Sequence, residues 1–122
     1  MREIHEHKVN GCNENIAVHV VDKPGSGDAR HEYCVTIGAL HGEQKVVNLS
    51  FQNGPIAEVG TNGITQEVLI TICIDRLRSF QGGPYACREN SLALTKLEEA
   101  LHWLKHRTAQ RLARGVEGTH EI

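Results

Sequence analysis

A chain of 122 residues with 13 Lys and Arg, 15 Asp and Glu and a formal charge of −2 has the size of one domain and no excess of positive charge to hold duplex DNA or RNA. Two Phe, two Tyr and one Trp are too few for a row of base-stacking platforms, and no apolar run approaches the roughly 18 residues of a membrane span. The polar start, Met1 to His7, lacks the apolar stretch of a secretory signal, so the chain is expected in the cytoplasm. Cys12, Cys34, Cys73 and Cys87 form no C-x-x-C pair and read as free thiols in a reducing compartment. A domain this small has a poor surface-to-volume ratio, which self-association would relieve.

Up to about residue 60 the pattern is strand-like. Ile4 to Val9 reads as an edge strand. Ile16, Val18 and Val20 alternate with Ala17, His19 and Val21. Tyr33, Val35 and Ile37 alternate with Glu32, Cys34 and Thr36, and Val47, Leu49 and Phe51 alternate with Val46, Asn48 and Ser50. A period of two places one set of each run on a core face. Pro24 to Asp28 is a loop, His41-Gly42 suggests a hairpin turn, and Asn53-Gly54-Pro55 ends the third long run. Short turns between successive strands imply an antiparallel meander.

After Gly63 the period changes. Ile64 to Phe80 is locally β-branched, yet Leu69, Ile72, Cys73, Leu77 and Phe80 fall on one helical face. Gly82-Gly83-Pro84 stops it. From Glu89 to Arg114 there is neither Pro nor Gly, and Leu94, Leu97, Leu101 and Leu104 form a seam widened by Ala93, Ala100 and Trp103. Gly115 is the expected C-terminal stop. The resulting fold is α+β: an N-terminal antiparallel β-sheet over about 3–60, two C-terminal α-helices over about 64–81 and 89–114, and a loose tail over 117–122, all in a single domain of residues 1–122.

His102 and His106 stand one helical turn apart but lack the Glu of H-E-x-x-H, so they read as a polar helix face and no metal site is expected. His5 and His7 read as a solvated edge. No nucleophile elbow, phosphate loop or cofactor signature is present. Arg107, Arg111 and Arg114, at i, i+4 and i+7, share one helix face. A guanidinium stripe suits phosphate, whose oxygens take two hydrogen bonds from one planar fork; cations near a helix C-terminus are also favoured by the macrodipole alone. Between Arg76 and Asn90, two aromatics, three arginines and an amide crowd around Gly82-Gly83-Pro84. A nucleobase needs a π surface and an amide, but Phe80 also suits a core and Asn90 suits an N-cap.

The strings Phe51-Gln52-Asn53-Gly54-Pro55-Ile56-Ala57-Glu58-Val59-Gly60, Gly83-Pro84-Tyr85-Ala86-Cys87-Arg88-Glu89-Asn90, Leu97-Glu98-Glu99-Ala100-Leu101 and Arg114-Gly115-Val116-Glu117-Gly118-Thr119-His120 resemble the phage Thoeris anti-defence family, type one, over nearly the whole chain. The resemblance implies a sponge, not an enzyme. Such a protein holds, without degrading, the cyclic ADP-ribose isomers (glycocyclic ADP-ribose) that bacterial TIR-domain enzymes make from NAD, so that Thoeris signalling fails in the host cytoplasm. Some family members also hold cyclic oligonucleotides of CBASS at a separate site of a larger assembly. The family pattern matches Phe80, which would stack on adenine, Asn90, which would bond a base or ribose edge, and Arg107, which would pair the pyrophosphate, with Arg111 and Arg30 as further anion contacts.

Asn90 and Arg107 are 17 positions apart, about 25 Å along one helix at 1.5 Å per residue. A ligand on the order of 10 Å across cannot touch both in one chain. If both contact it, they come from two copies with antiparallel helices, and a two-fold homodimer carries two equivalent pockets. Two other readings stay open on the sequence: a small phosphodiesterase that cleaves the signal, and a helical assembly protein without a ligand.

Overall fold

The computed structural model describes residues 1–38 and 43–122; the expected turn at His41-Gly42 lies outside the described residues. The elements in chain order are β1 (Arg2–Ile4), α1 (Gly11–Glu14), β2 (Ile16–Val20), a 3-10 turn (Ser26–Asp28), β3 (Glu32–Ile37), β4 (Lys45–Ser50), α2 (Ile56–Val59), α3 (Gln66–Gln81) and α4 (Arg88–Ala113). The fold is the α+β arrangement expected, with α1 and α2 as short helices that no periodicity announces. Two compact units result, Met1–Gly54 with Val59–Ile64, and Pro55–Glu58 with Thr65–Ile122.

The first unit is a four-stranded antiparallel sheet in the order β1-β2-β3-β4. Its register sets Val18 against Val35 and Val35 against Val47, and likewise Val20 against Tyr33 and Tyr33 against Leu49. One face is therefore apolar from strand to strand, and Val20, on a central strand, is 1% exposed. Tyr33 meets Phe51 edge-on, with centroids 5.6 Å apart, a favoured aromatic geometry.

The edge strand is shorter than Ile4 to Val9. It ends at Ile4, and a turn follows in which Lys8 N–H donates to the His5 carbonyl at 2.9 Å. The turn brings Lys8 back to within 3.4 Å of Glu3, an ion pair that a straight strand over 4–9 would carry apart, while His5 and His19 flank the same carboxylate at 3.5 and 3.8 Å. His7 donates to the Ile16 carbonyl at 2.6 Å, and Asn10 then caps α1 by accepting from Asn13 N–H.

Beyond β4 the chain loops out and returns at Ile64, which forms a parallel bridge with Phe51. Amide side chains close this loop. Asn62 accepts from Asn53 N–H at 2.8 Å and donates to its carbonyl at 2.7 Å, while Gln52 reaches the Gly54 and Gly60 carbonyls. Gly63 lies against the β4 exit so closely that a Cβ there would sit 2.6 Å from the Phe51 carbonyl oxygen and 2.7 Å from Gln52 N. Both obstacles are backbone, so neither can swing aside.

The second unit is a helical hairpin with the segment Pro55–Glu58 and the C-terminal tail. Thr65 caps α3, accepting from Val68 N–H at 3.3 Å. The expected leucine seam of α4 is present: Leu94, Leu97, Leu101 and Leu104 are partly covered, as is Ala100. Ala93 and Trp103, expected to widen it, are exposed. On α3 the covered apolar residues are Leu69, Ile70, Ile74, Leu77 and Phe80, with Ile74 only 4% exposed. Of the expected face, Leu69, Leu77 and Phe80 are covered, whereas Ile72 is 58% exposed and Cys73 is exposed too. With apolar residues at positions 68, 69, 70, 72, 73 and 74, more than one face satisfies a helical period, and the hairpin partner selects among them.

Gly63→Ala is expected to destabilise the chain by about 2 kcal/mol or more, because forced backbone overlap adds to ordinary overpacking. Urea unfolding followed by circular dichroism measures this directly.

Candidate functional site

The turn of the hairpin is closed by one side chain. Gln81 donates from Nε2 to the Cys87 carbonyl at 3.1 Å and accepts Cys87 N–H on Oε1 at 3.0 Å. An amide satisfying both backbone groups of one residue fixes the distance from the end of α3 to the start of α4. The N-cap of α4 is Cys87, whose sulfur accepts from Asn90 N–H at 3.4 Å. Asn90 is thus the third residue of the helix and not its cap, and its side-chain amide is left for other work.

Phe80 and Asn90 both lie at this turn end, Phe80 in the last turn of α3 and Asn90 in the first turn of α4, each half-buried. The Arg76 guanidinium carbon stands 5.0 Å from the Phe80 ring centroid, within cation–π range. The sequence reading did not single out that contact, although the i, i+4 spacing carries the signal. Arg76 covers one face of the ring and leaves it polarised toward whatever meets the other.

The opposite end of α4 carries the three arginines, and the structure separates their roles. Arg107 is exposed and has no side-chain partner among the described residues. Arg111 is 7% exposed. It donates to Glu117 from Nε at 3.2 Å, to the Val116 and Thr119 carbonyls from Nη2 at 2.9 and 3.2 Å, and to the Glu121 carbonyl from Nη1. Arg114 donates to the Ile122 carbonyl at 2.9 Å.

Gly115 makes this possible. With φ at +73° it ends the helix as expected: its N–H bonds the Leu112 carbonyl at 3.1 Å, and Val116 N–H bonds the Arg111 carbonyl at 3.0 Å. This Schellman pairing turns the chain back over the last turn of α4. The tail then finds partners within its own chain. Gly118 accepts from Ala57 N–H at 3.0 Å, and His120 meets Glu58 at 3.1 Å.

Arg30 belongs to the sheet unit, in the loop between β2 and β3. Its Nη1 donates to the Asp22 carbonyl. The loop is built around His31, 6% exposed, whose Nε2 donates to the Ser26 carbonyl at 2.9 Å. Ser26 N–H in turn donates to Asn53 at 3.1 Å. The His31 backbone N–H donates to the Asp22 carboxylate at 2.9 Å, and this bond holds the Asp22 pKa below its ordinary value against the opposing effect of burial. The other Asp22 oxygen is buried without a partner among the described residues.

A groove of about 510 Å³ lies between α3 and α4, lined in part by Asp75, Arg78, Glu98, His102 and Lys105, with Arg78 and Glu98 paired at 2.8 Å. None of Phe80, Asn90 or Arg107 lines it. His102 and His106 are stacked with centroids 6.3 Å apart beside Trp103. Among the described residues no group of three or more His, Cys, Asp or Glu could hold a metal ion, and no helix is long and apolar enough to cross a membrane.

A four-stranded antiparallel sheet followed by a long two-helix hairpin, with the candidate ring, amide and free guanidinium all on the hairpin, defines the class: an α+β sheet-and-hairpin protein. The chain belongs to the family described as Acb2/Tad1, hairpin domain, whose model matches residues 43–109, more than half of its length. The matched span includes Phe80, Asn90 and Arg107 and stops short of Arg111. A relative, Thoeris anti-defense 1 of Bacillus phage SBSphiJ7, is 56% identical over 77 residues, covering 63% of this chain and 54% of the relative. The match therefore spans about half of that protein's length.

Because the folded pKa of Asp22 is depressed, its interaction with His31 stabilises the chain above the unfolded pKa and is lost as pH falls through the folded one. Asp22→Asn is expected to lower the urea midpoint near pH 7, and the gap from the parent should close as pH falls through the depressed Asp22 pKa. A gap that persists in acid would remove the charge from the explanation.

Proposed function

We propose that this chain is a phage anti-defence protein that acts in the bacterial cytoplasm by sequestering a cyclic ADP-ribose isomer, glycocyclic ADP-ribose, without breaking it. The relationship to a Thoeris anti-defense protein carries the reading, and the hairpin supplies residues suited to it. Phe80 offers a π face for adenine, Asn90 an uncommitted amide for a base or ribose edge, and Arg107 an exposed guanidinium for pyrophosphate. Arg30 is the sheet unit's candidate contact. Arg111 supports the end of α4 on which Arg107 stands.

The pocket takes residues from two copies. Helix α4 runs unbroken from Arg88 to Ala113, so Asn90 and Arg107 of one chain stay about 25 Å apart. Antiparallel pairing brings the turn end of one hairpin to the arginine end of another. Exposed Val68, Ile72, Leu92 and Trp103 on the two helices are apolar surface of the kind that such pairing buries. Sequestration needs affinity without turnover, so the site calls for no nucleophile, base or metal. In the 52–62 loop the Gln52 and Asn62 side chains are engaged with backbone groups and no Lys or Arg is present, so this loop offers a cyclic oligonucleotide no cation.

The test is incubation with the product of a Thoeris TIR enzyme, then filtration, heat release and mass analysis of both fractions. Depletion from the filtrate and intact recovery on heating are expected. A new mass would replace the sponge with a phosphodiesterase, and ligand left in the filtrate would end the reading. Phe80→Ala is expected to weaken binding by roughly 1–3 kcal/mol, the value of one base stacked on an aromatic ring, and Arg107→Glu to abolish it. Sedimentation should give a dimer or a multiple of it; a monomer that still holds ligand would contradict the two-copy pocket.

A further inference from the structure

The three arginines of the α4 stripe differ in what surrounds them, and the C-terminal tail makes the difference. Arg111 and Arg114 turn their guanidiniums onto tail carbonyls, and Arg111 also onto the Glu117 carboxylate. Arg107, one turn earlier, is left exposed. The tail also sets the Glu117 carboxylate against Arg111, lowering the local positive potential.

We propose that residues 117–122 form a selectivity strap that withholds Arg111 from anions and draws Arg114, still exposed, toward the tail through one hydrogen bond, so that the stripe of three guanidiniums is broken at its centre. This rests on the reading of Arg107 as the anion contact. Three guanidiniums at i, i+4 and i+7 would span about 10 Å along the helix, enough to engage the phosphates of any linear polyphosphate. A stripe broken at its centre discriminates against such ligands, since a ring whose two phosphates sit side by side asks for a single planar fork. A sponge without that restriction would fill with abundant polyphosphates. The strap holds through shape as well as charge. Gly118 has φ at +79°, and a Cβ there would stand 2.5 Å from Ile56 Cγ2.

That geometry supplies a variant that lifts the strap while leaving every charge in place. Gly118→Ala and a truncation after Val116 are each compared with the full chain for binding of inorganic tripolyphosphate by calorimetry. Both are expected to bind it about tenfold more tightly than the parent, an amount typical of one added charge-assisted hydrogen-bonding partner. The gain should vanish when Arg111→Gln is added. Exchange of the Ala57 amide, which bonds Gly118, should quicken while the amides of α3 and α4 stay protected, showing that the strap has opened on a folded hairpin. Unchanged tripolyphosphate affinity in the truncated chain overturns the strap, as does a gain that survives Arg111→Gln. The two readings fail separately: loss of cyclic ADP-ribose isomer binding by the parent chain refutes the sponge, whereas equal tripolyphosphate affinity with and without the tail refutes only the strap.

Discussion

The seam between α3 and α4 is the contact on which every candidate ligand residue of the hairpin depends. It is modest. Ile70, Ile74 and Leu77 meet a run of leucines, and among these Ile74 alone falls below a tenth exposed. A seam this thin leaves the ends of the hairpin to be secured by polar devices, and the two ends use different ones. At the turn, the Gln81 amide closes both backbone groups of Cys87. At the far end, a buried guanidinium gathers the tail. Buried charge is costly unless it is paired and its donors are satisfied. Arg111 meets that condition with one carboxylate and three carbonyls, so the helix end and tail are ordered together.

Much of the fold was legible because each element repeats its signal. Three strands announce themselves by alternation over five or six residues, and the leucines of α4 keep their spacing over three turns with no glycine or proline to interrupt them. Gly115 was readable as a stop for the same reason, a lone glycine after a long helical pattern. The face of α3 was harder. Periodicity gives a spacing but not a phase when six of seven consecutive positions from 68 to 74 are apolar or thiol-bearing, and the partner helix fixes the phase. The turn over His5 to Val9 was hidden for another reason. It is accompanied by Lys8 folding back to the Glu3 carboxylate, an ion pair that strand alternation does not signal.

The candidate site was legible by chemical type and less so by environment. Phe80, Asn90 and Arg107 could be selected as a ring, an amide and a guanidinium, but their freedom to act depends on neighbours. Asn90 is free because Cys87 has the cap, a role sulfur rarely wins in sequence reasoning. Arg111 looked equivalent to Arg107 on a helical wheel. It differs because a glycine four residues later reverses the chain and sends a carboxylate and several carbonyls back toward it. A wheel ends where the helix ends, so the tail that distinguishes these arginines lies off its edge.

The choice of cap has a consequence for the two ends of α4. Sulfur is a weak acceptor, and the bond from Asn90 N–H to Cys87 is long at 3.4 Å. A serine or threonine would close that first turn more firmly. The opposite end is bound by a Schellman turn and a guanidinium with four partners. The tip that carries the amide is therefore capped more weakly than the tip that carries the cation. In the proposed pocket of two antiparallel rods, each ligand would meet one tip of each kind, a closely braced cation and a more lightly capped amide.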